Sequence, residues 1–171
     1  MEIILNNVNH NDKDFIRKLF NDNLVKEYII LPSEIRHDPA LLVDVWLDND
    51  KNNSGATYII SVVEVSPYTR NEIFTPCGFI SFERQSINTG NIAFALSENF
   101  RGKGITKTAM GLVLDVLTNA KVHKVEADID KDNIASEKIV ELFGFTTDRS
   151  KVYFDLENGA KLRNKWYKTL Q

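Results

Sequence analysis

The sequence predicts an α/β (α+β) fold, a central, mostly antiparallel mixed sheet of about seven strands flanked by about four helices. Three observations predict it. From Ala56 onward, β-branched runs such as TYIISVVEV are separated by turn-rich stretches, as strands are. After the glycine pair of SENFRGKGIT (97–106), apolar residues recur at helical spacing. Strand-like segments on both sides of that helix make one right-handed crossover, the single place where parallel pairing is required.

In order, Glu2 to Leu5 reads as a short strand, and Phe15, Ile16, Leu19 and Phe20 as a helix behind Asn11 or Asp12 as cap. VKEYIILPSEIRH is the end of that helix plus a loop. Asp38-Pro39 opens a second helix, because Asp suits the N-cap and Pro the first helical position. Leu41, Leu42, Val45 and Trp46 continue it until DNDKNNSG ends it. TYIISVVEV and CGFISFER are strands joined by SPYTRNEIFTP, a long connection with two prolines, and NIAFALS is the next strand. The helix after the glycines carries one apolar stripe of Ile105, Ala109, Leu112, Val113, Val116, Leu117 and Ala120. KVEADID is a strand, Asn133 to about Phe143 a helix, and VYFDL and WYKTL a pair joined across Glu157-Asn158-Gly159, a strong hairpin signal.

The chain's 171 residues suit one domain, 1–171, and its 43% apolar and 26% charged content is that of a globular protein. A net charge of −3 argues against nucleic acid as a partner. The opening MEIILNNVNHNDKDF lacks the basic lead-in of a signal peptide, and no apolar run is long enough to span a bilayer. A lone cysteine, Cys77, has no disulfide partner, and with three histidines (His10, His37, His123) a Cys/His metal site is not expected. A cytoplasmic protein, monomer or homodimer, with no metal and no membrane partner, is the expectation.

A glycine turn before a helix offers unpaired backbone N–H groups to an anion. The spacing excludes two phosphate cradles. Counting back from Gly102-Lys103 puts Ser97 where the nucleotide-triphosphate loop needs Gly, and Gly104 stands where it needs Ser or Thr. The dinucleotide fingerprint lacks its third glycine. Arg101-Gly102-Lys103-Gly104 instead resembles the pyrophosphate-binding turn of the GNAT (GCN5-related N-acetyltransferase) superfamily. DNIASEKIVELFGF (132–145) is similar to that superfamily's Asn-x-x-Ser helix ending in Gly-Phe, and NHNDKDFIRKLFNDNLVKEYI to the N-terminal helices of its ribosomal-protein (RimJ/RimL-like) branch. The order of predicted strands and helices matches the GNAT fold along nearly the whole chain.

The resemblance implies an N-acetyltransferase that uses acetyl-CoA and a primary-amine acceptor, either a peptide N-terminus or a small amine. No activated Cys or Ser arrangement is visible, so the amine is expected to attack the thioester directly, without an acyl-enzyme. The backbone from Gly102 to Thr106 (Gly102, Lys103, Gly104, Ile105, Thr106) would surround the pyrophosphate, with charge from Arg101, Lys103 and Lys107 nearby. Phe94, Ala95 and Leu96 form the strand edge for the pantetheine arm, where one N–H faces the developing oxyanion. Asn133 holds the cofactor, and Ser136 donates to the leaving thiolate. Alternation puts Glu126, Asp128 and Asp130 on one strand face, so one of them, or Glu83 nearby, is the base.

Each site residue has a structural alternative. Asn133 with Ser136 is also an ordinary helix start, and the three acids are also a solvated strand face. Asn91, Asn99 and Val140 stand where active relatives often have an acid, a Gln or Arg, and a Tyr. The alternative function is therefore a GNAT-fold module that holds acyl-CoA without turnover. The acceptor groove is expected at the N-terminal helices, the VKEYIILPSEIRH loop and the SPYTRNEIFTP hairpin.

Overall fold

The computed structural model of the chain describes residues 1–156 and 159–171, and the side chains outside 153–160. Among the described residues seven strands and five α-helices follow in the order β1 (Glu2–Asn7), α1 (Lys13–Leu19), α2 (Asn23–Tyr28), α3 (Leu41–Lys51), β2 (Gly55–Val65), β3 (Glu72–Arg84), β4 (Thr89–Leu96), α4 (Ile105–Asn119), β5 (Lys124–Asp130), α5 (Ile134–Leu142), β6 (Lys151–Leu156) and β7 (Gly159–Thr169). They build one sheet in the order β1-β2-β3-β4-β5-β7-β6, antiparallel throughout except where β4 meets β5. The turn expected at Glu157-Asn158-Gly159 falls at residues 157 and 158, outside the described residues.

Alternation along the strands divides the core in two. Ile60, Ile80, Ile92 and Val125 pack with Ile105, Ala109, Met110 and Val113 of α4 and with Val140 of α5. Ile59 and Phe79 point the other way and meet Ile16, Leu19, Val43 and Trp46 of α1 and α3, with Trp46 and Phe79 ring centroids 4.9 Å apart. Burial on this scale, at about 25 cal/mol per Å² of apolar surface, holds the helices on the sheet.

Several boundaries differ from the sequence expectation, each for a local reason. The first helix is two. Phe20 and Asn21 break it, and the Asp22 carboxylate restarts it as α2 by accepting the backbone N–H groups of Leu24 (2.9 Å) and Val25 (3.3 Å). α1 is entered through a one-turn segment, His10–Asp12, that Asn9 caps in a reciprocal box with Asp12. Asp38 accepts the Ala40 N–H, so α3 begins at Leu41 rather than at Pro39. The second part of SPYTRNEIFTP, from Glu72 to Pro76, is strand, since β3 begins at Glu72. Register shifts between Ile60 and Ser61, whose partners are Gly78 and Pro76, and this leaves Cys77 as a bulge in β3. Leu112 and Val116, expected in the buried stripe of α4, lie at its edge and are exposed; Met110 and Leu114 complete the buried face instead. Among the described residues no helix is long and apolar enough to cross a membrane.

Candidate active site

The parallel join between β4 and β5 is three pairs long, Thr89 with Lys124, Gly90 with Val125, and Asn91 with Glu126. Beyond it the two strands separate. β4 continues to Leu96 paired only with β3, and β5 to Asp130 paired only with β7. A cavity of about 960 Å³ occupies the split. Its walls are Ile92 to Leu96 of β4, Ala127 to Asp130 of β5, the start of α4, the start of α5, and Leu24, Val25 and Tyr28 of α2 with Ile29, Ile30 and Pro32 after it.

At one end lies the glycine turn. Gly102 and Gly104 have φ of 74° and 77°, a backbone region that disfavours side chains, and a Cβ on either would meet nothing within 4 Å. Open space, not crowding, stands in front of the turn. α4 starts at Ile105 with no side-chain cap, so its first-turn N–H groups lack intrahelical partners. Such a helix start favours an anion.

The residues around the turn divide. Gly102, Gly104, Ile105, Thr106 and Lys107 line the cavity. Lys103 is exposed and sits over the Phe100 ring at 5.4 Å, off the cavity wall. Asn99 is exposed and also off the wall. Arg101 lines the cavity, but its guanidinium is engaged: Nε and Nη2 donate to the Leu96 carbonyl (3.1 and 2.9 Å), and Nη2 donates to Asp22 Oδ2 (2.6 Å). The expectation that Arg101 supplies charge to a phosphate gives way to this. It ties down the end of β4.

The three acids predicted to share a face have different surroundings. Glu126 is 6% exposed and lies level with the β4–β5 join, below the split. Its two carboxylate oxygens accept from Lys124 Nζ (2.6 Å) and Lys165 Nζ (2.8 Å). Burial by itself would raise its pKa, and the two ammonium groups more than offset that and hold it below the ordinary value. Glu126 is a structural ion-pair centre, not a base facing the cavity. Asp130 is likewise engaged, by Lys161 (3.2 Å) and the Asp132 N–H (3.0 Å); these hold its pKa down against the raising effect of burial.

Asp128 differs. Oδ2 accepts from the Asn91 side-chain amide across the split at 2.6 Å, and Oδ1 is buried with no hydrogen-bond partner among the described residues. Asn91 thus orients a carboxylate that β5, rather than β4, supplies. Nothing in the sequence distinguished it from Glu126. Glu83, on β3 opposite Asn91, also lines the cavity and is exposed.

On the far wall, Asn133 caps α5 by accepting the Ser136 N–H at 3.2 Å. Ser136 faces the cavity, and its hydroxyl has no hydrogen-bond partner among the described residues. Val140 is fully buried in the core, while Ile139 reaches the cavity. The expected acceptor segments are present in α2 and the loop after it, but no residue of the 66–76 hairpin lines the cavity. Cys77 is outside it too. Burial pushes its thiol up to about 11, so it is protonated at neutral pH.

A sheet splayed at one parallel join, with a glycine turn and a bare helix start closing the split, is an acyltransferase architecture, and the sequence agrees. Residues 2–146 match the Acetyltransferase (GNAT) domain family model, and the chain belongs to that family. Solved structures show the same fold. The ribosomal-protein-S5-alanine acetyltransferase of Vibrio fischeri is 18% identical, with a TM-score of 0.75 over 99% of this chain and 93% of that one. RimL, a ribosomal L7/L12 α-N-protein acetyltransferase in complex with coenzyme A, is 15% identical, with a TM-score of 0.79 over 98% and 94%. The spermidine N-acetyltransferase of Vibrio cholerae, in complex with CoA and spermine, is 15% identical, with a TM-score of 0.73 over 98% and 95%. No curated protein sequence matches the chain significantly.

Proposed function

We propose that the chain transfers an acetyl group from acetyl-CoA to a primary amine, a peptide N-terminus or a small amine. The observation that carries this is the split itself. One cavity holds an open anion seat at Gly102–Thr106, an edge of β4 unpaired among the described residues, and an oriented carboxylate lining the wall. The residues present fit coenzyme A: the glycines leave room for a pyrophosphate, and the open edge of β4 at Phe94 and the Leu96 N–H offers backbone groups for the pantetheine amides, while Ala95 pairs with Phe79 and the Leu96 carbonyl stays with Arg101. Solved relatives that hold CoA, and one that also holds spermine, support the same assignment.

Acetyl-CoA supplies the acyl group as a thioester, open to direct attack by an amine. The chain's own residues do the rest. The Asp128 carboxylate, which lines the cavity and is oriented by Asn91, accepts the proton of the acceptor ammonium through water. An N-terminal amine, with a pKa near 8, needs less help here than a lysine near 10.4. A β4 backbone N–H stabilises the carbonyl oxygen as charge develops; the C–S bond then breaks, and the thiolate, hydrogen-bonded by the Ser136 hydroxyl, takes up the remaining proton released from the amine nitrogen. Asn133 sets the first turn that places Ser136. Leu24, Tyr28, Ile29, Ile30 and Pro32 exclude water from the acceptor side.

Calorimetry with CoA, followed by thiol release from acetyl-CoA across a panel of peptides and polyamines, tests this. Saturable CoA binding and amine-dependent release are expected. Binding with no release on a broad panel replaces the enzyme with an acyl-CoA-holding module; equal binding of CoA and bare pyrophosphate removes the cofactor assignment.

A further inference from the structure

α2 is a six-residue helix with its two ends tied to opposite arms of the split sheet. At its start, Asp22 does two jobs. Oδ1 accepts the N–H groups of Leu24 and Val25, and Oδ2 accepts from Arg101 Nη2 at 2.6 Å. Arg101 in turn holds the Leu96 carbonyl, the last of β4, and immediately precedes Gly102. At the other end, the Tyr28 carbonyl accepts from Arg163 Nη2 of β7 at 2.5 Å, the Tyr28 hydroxyl donates to the Asp132 carbonyl (3.4 Å), and Lys161 donates to the Glu27 carbonyl. One end therefore belongs to the arm of β4 and the glycine turn, the other to the arm of β5, β7 and α5. Between the ties, Leu24, Val25 and Tyr28 form the cavity's acceptor wall.

We propose that Asp22 and Arg101 are positioning residues that couple the two substrate sites, so that filling the CoA seat stiffens the acceptor wall. The inference rests on the CoA assignment made above. Its physical content is that the turn, the end of β4 and the start of α2 share one guanidinium. Anything that immobilises Gly102 and Leu96 immobilises Arg101, and through Asp22 the first turn of α2. The Asp22 side chain is 13% exposed and that of Arg101 31%, so the pair is only partly screened by water. Burial alone would raise the Asp22 pKa, but Arg101 and the two capped amides hold it below the ordinary value, which keeps the pair ionised at neutral pH.

Hydrogen exchange read by mass spectrometry, with and without saturating CoA, tests the coupling. In the wild-type chain CoA is expected to slow exchange both at Ile105–Thr108 and at Leu24–Tyr28. Asp22→Asn keeps the cap, because Asn caps a helix as well as Asp does, but loses the ion pair. CoA should then still protect 105–108 and no longer protect 24–28. Arg101→Lys, which keeps charge and gives up the double hold on Leu96, should lose most of the same protection, and the double variant should lose no more than D22N alone. In turnover, D22N should raise the acceptor KM about five-fold, the factor that corresponds to about 1 kcal/mol for a partly exposed pair. A variant that merely lost folded protein would lower kcat and leave KM alone. Full protection of 24–28 in both D22N and R101K, or none in the wild type despite protection of 105–108, overturns the coupling alone. A wild-type chain that gives no heat with CoA and no protection at 105–108 overturns the cofactor assignment, and the coupling with it.

Discussion

Replacing Glu126 and Asp128 one at a time separates the ion-pair centre from the base, although the two share one strand face and lie two residues apart. In E126Q the amide oxygen still accepts from one lysine, but the amide nitrogen now faces the other ammonium, donor against donor. The loss is about one charge-assisted hydrogen bond, about 1.5–3 kcal/mol when fully buried. The partners Lys124 and Lys165 are 42% and 31% exposed, so solvent screening reduces this to about 1–2 kcal/mol. For a chain of this size that is a fall in Tm of about 2–8 °C. Turnover per folded molecule should hold within about two-fold, because Glu126 lies below the split. D128N is the reverse. The carboxamide oxygen that replaces the carboxylate still accepts from the Asn91 amide, so Tm should move by no more than about 3 °C, but no proton acceptor remains and kcat/KM should fall by about 10²–10⁴. Thermal unfolding and steady-state thiol release on the same preparations give both numbers. A hundred-fold loss of turnover in E126Q with little change in Tm, or a D128N that keeps more than about a third of wild-type kcat/KM, would overturn these two roles.

Other outcomes follow from the same geometry. S136A removes a hydroxyl with no hydrogen-bond partner among the described residues, so CoA affinity and Tm should be nearly unchanged while kcat falls by about 10- to 100-fold, the equivalent of one hydrogen bond to a charged group. G104A meets no atom within 4 Å, so its folding cost is the left-handed backbone alone, about 1–2 kcal/mol; calorimetry should show the larger loss in CoA affinity, since the methyl group enters the anion seat. Asp22, Glu126 and Asp130 all have depressed pKa values in the folded chain. Their stabilisation is complete above the unfolded values near 4 and is lost as pH falls through them toward the folded ones. Tm should therefore be nearly flat from pH 7 to 5 and drop steeply below about pH 4, with E126Q showing a shallower drop.

Much of the fold was legible because its signals are local. The glycine pair marks the start of α4 by its own backbone preference, Asn133 caps α5 three residues from Ser136, and a β-branched run marks β2. What was not legible depends on contacts between distant residues. Alternation puts Glu126 and Asp128 on one face, but only the register with β4 says that pairing stops at Glu126 and the cavity begins above it. Arg101 looks like a phosphate ligand beside Gly102 until Asp22, 79 positions earlier, is seen to hold it. The break between α1 and α2 depends on that same Asp22, which as a sequence letter is one of several acids in a polar stretch. Cys77 reads as an ordinary strand residue and Pro76 as the end of a connection, and the bulge they make appears only against β2.

The three-pair seam between β4 and β5 also has a kinetic meaning. On one side of it β2, β3 and β4 pair antiparallel as sequence neighbours. The seam is parallel and needs the whole of α4 as its crossover. Loop-closure entropy makes such a contact later than the tightly connected β3–β4 pairing. The β2–β3–β4 meander should form first, and the active-site split only after it. Val125→Ala should then speed unfolding and leave the folding rate nearly unchanged, and in stopped-flow refolding of a Trp166→Phe chain the fluorescence of Trp46, which packs on Phe79 of β3, should recover before the chain can bind CoA.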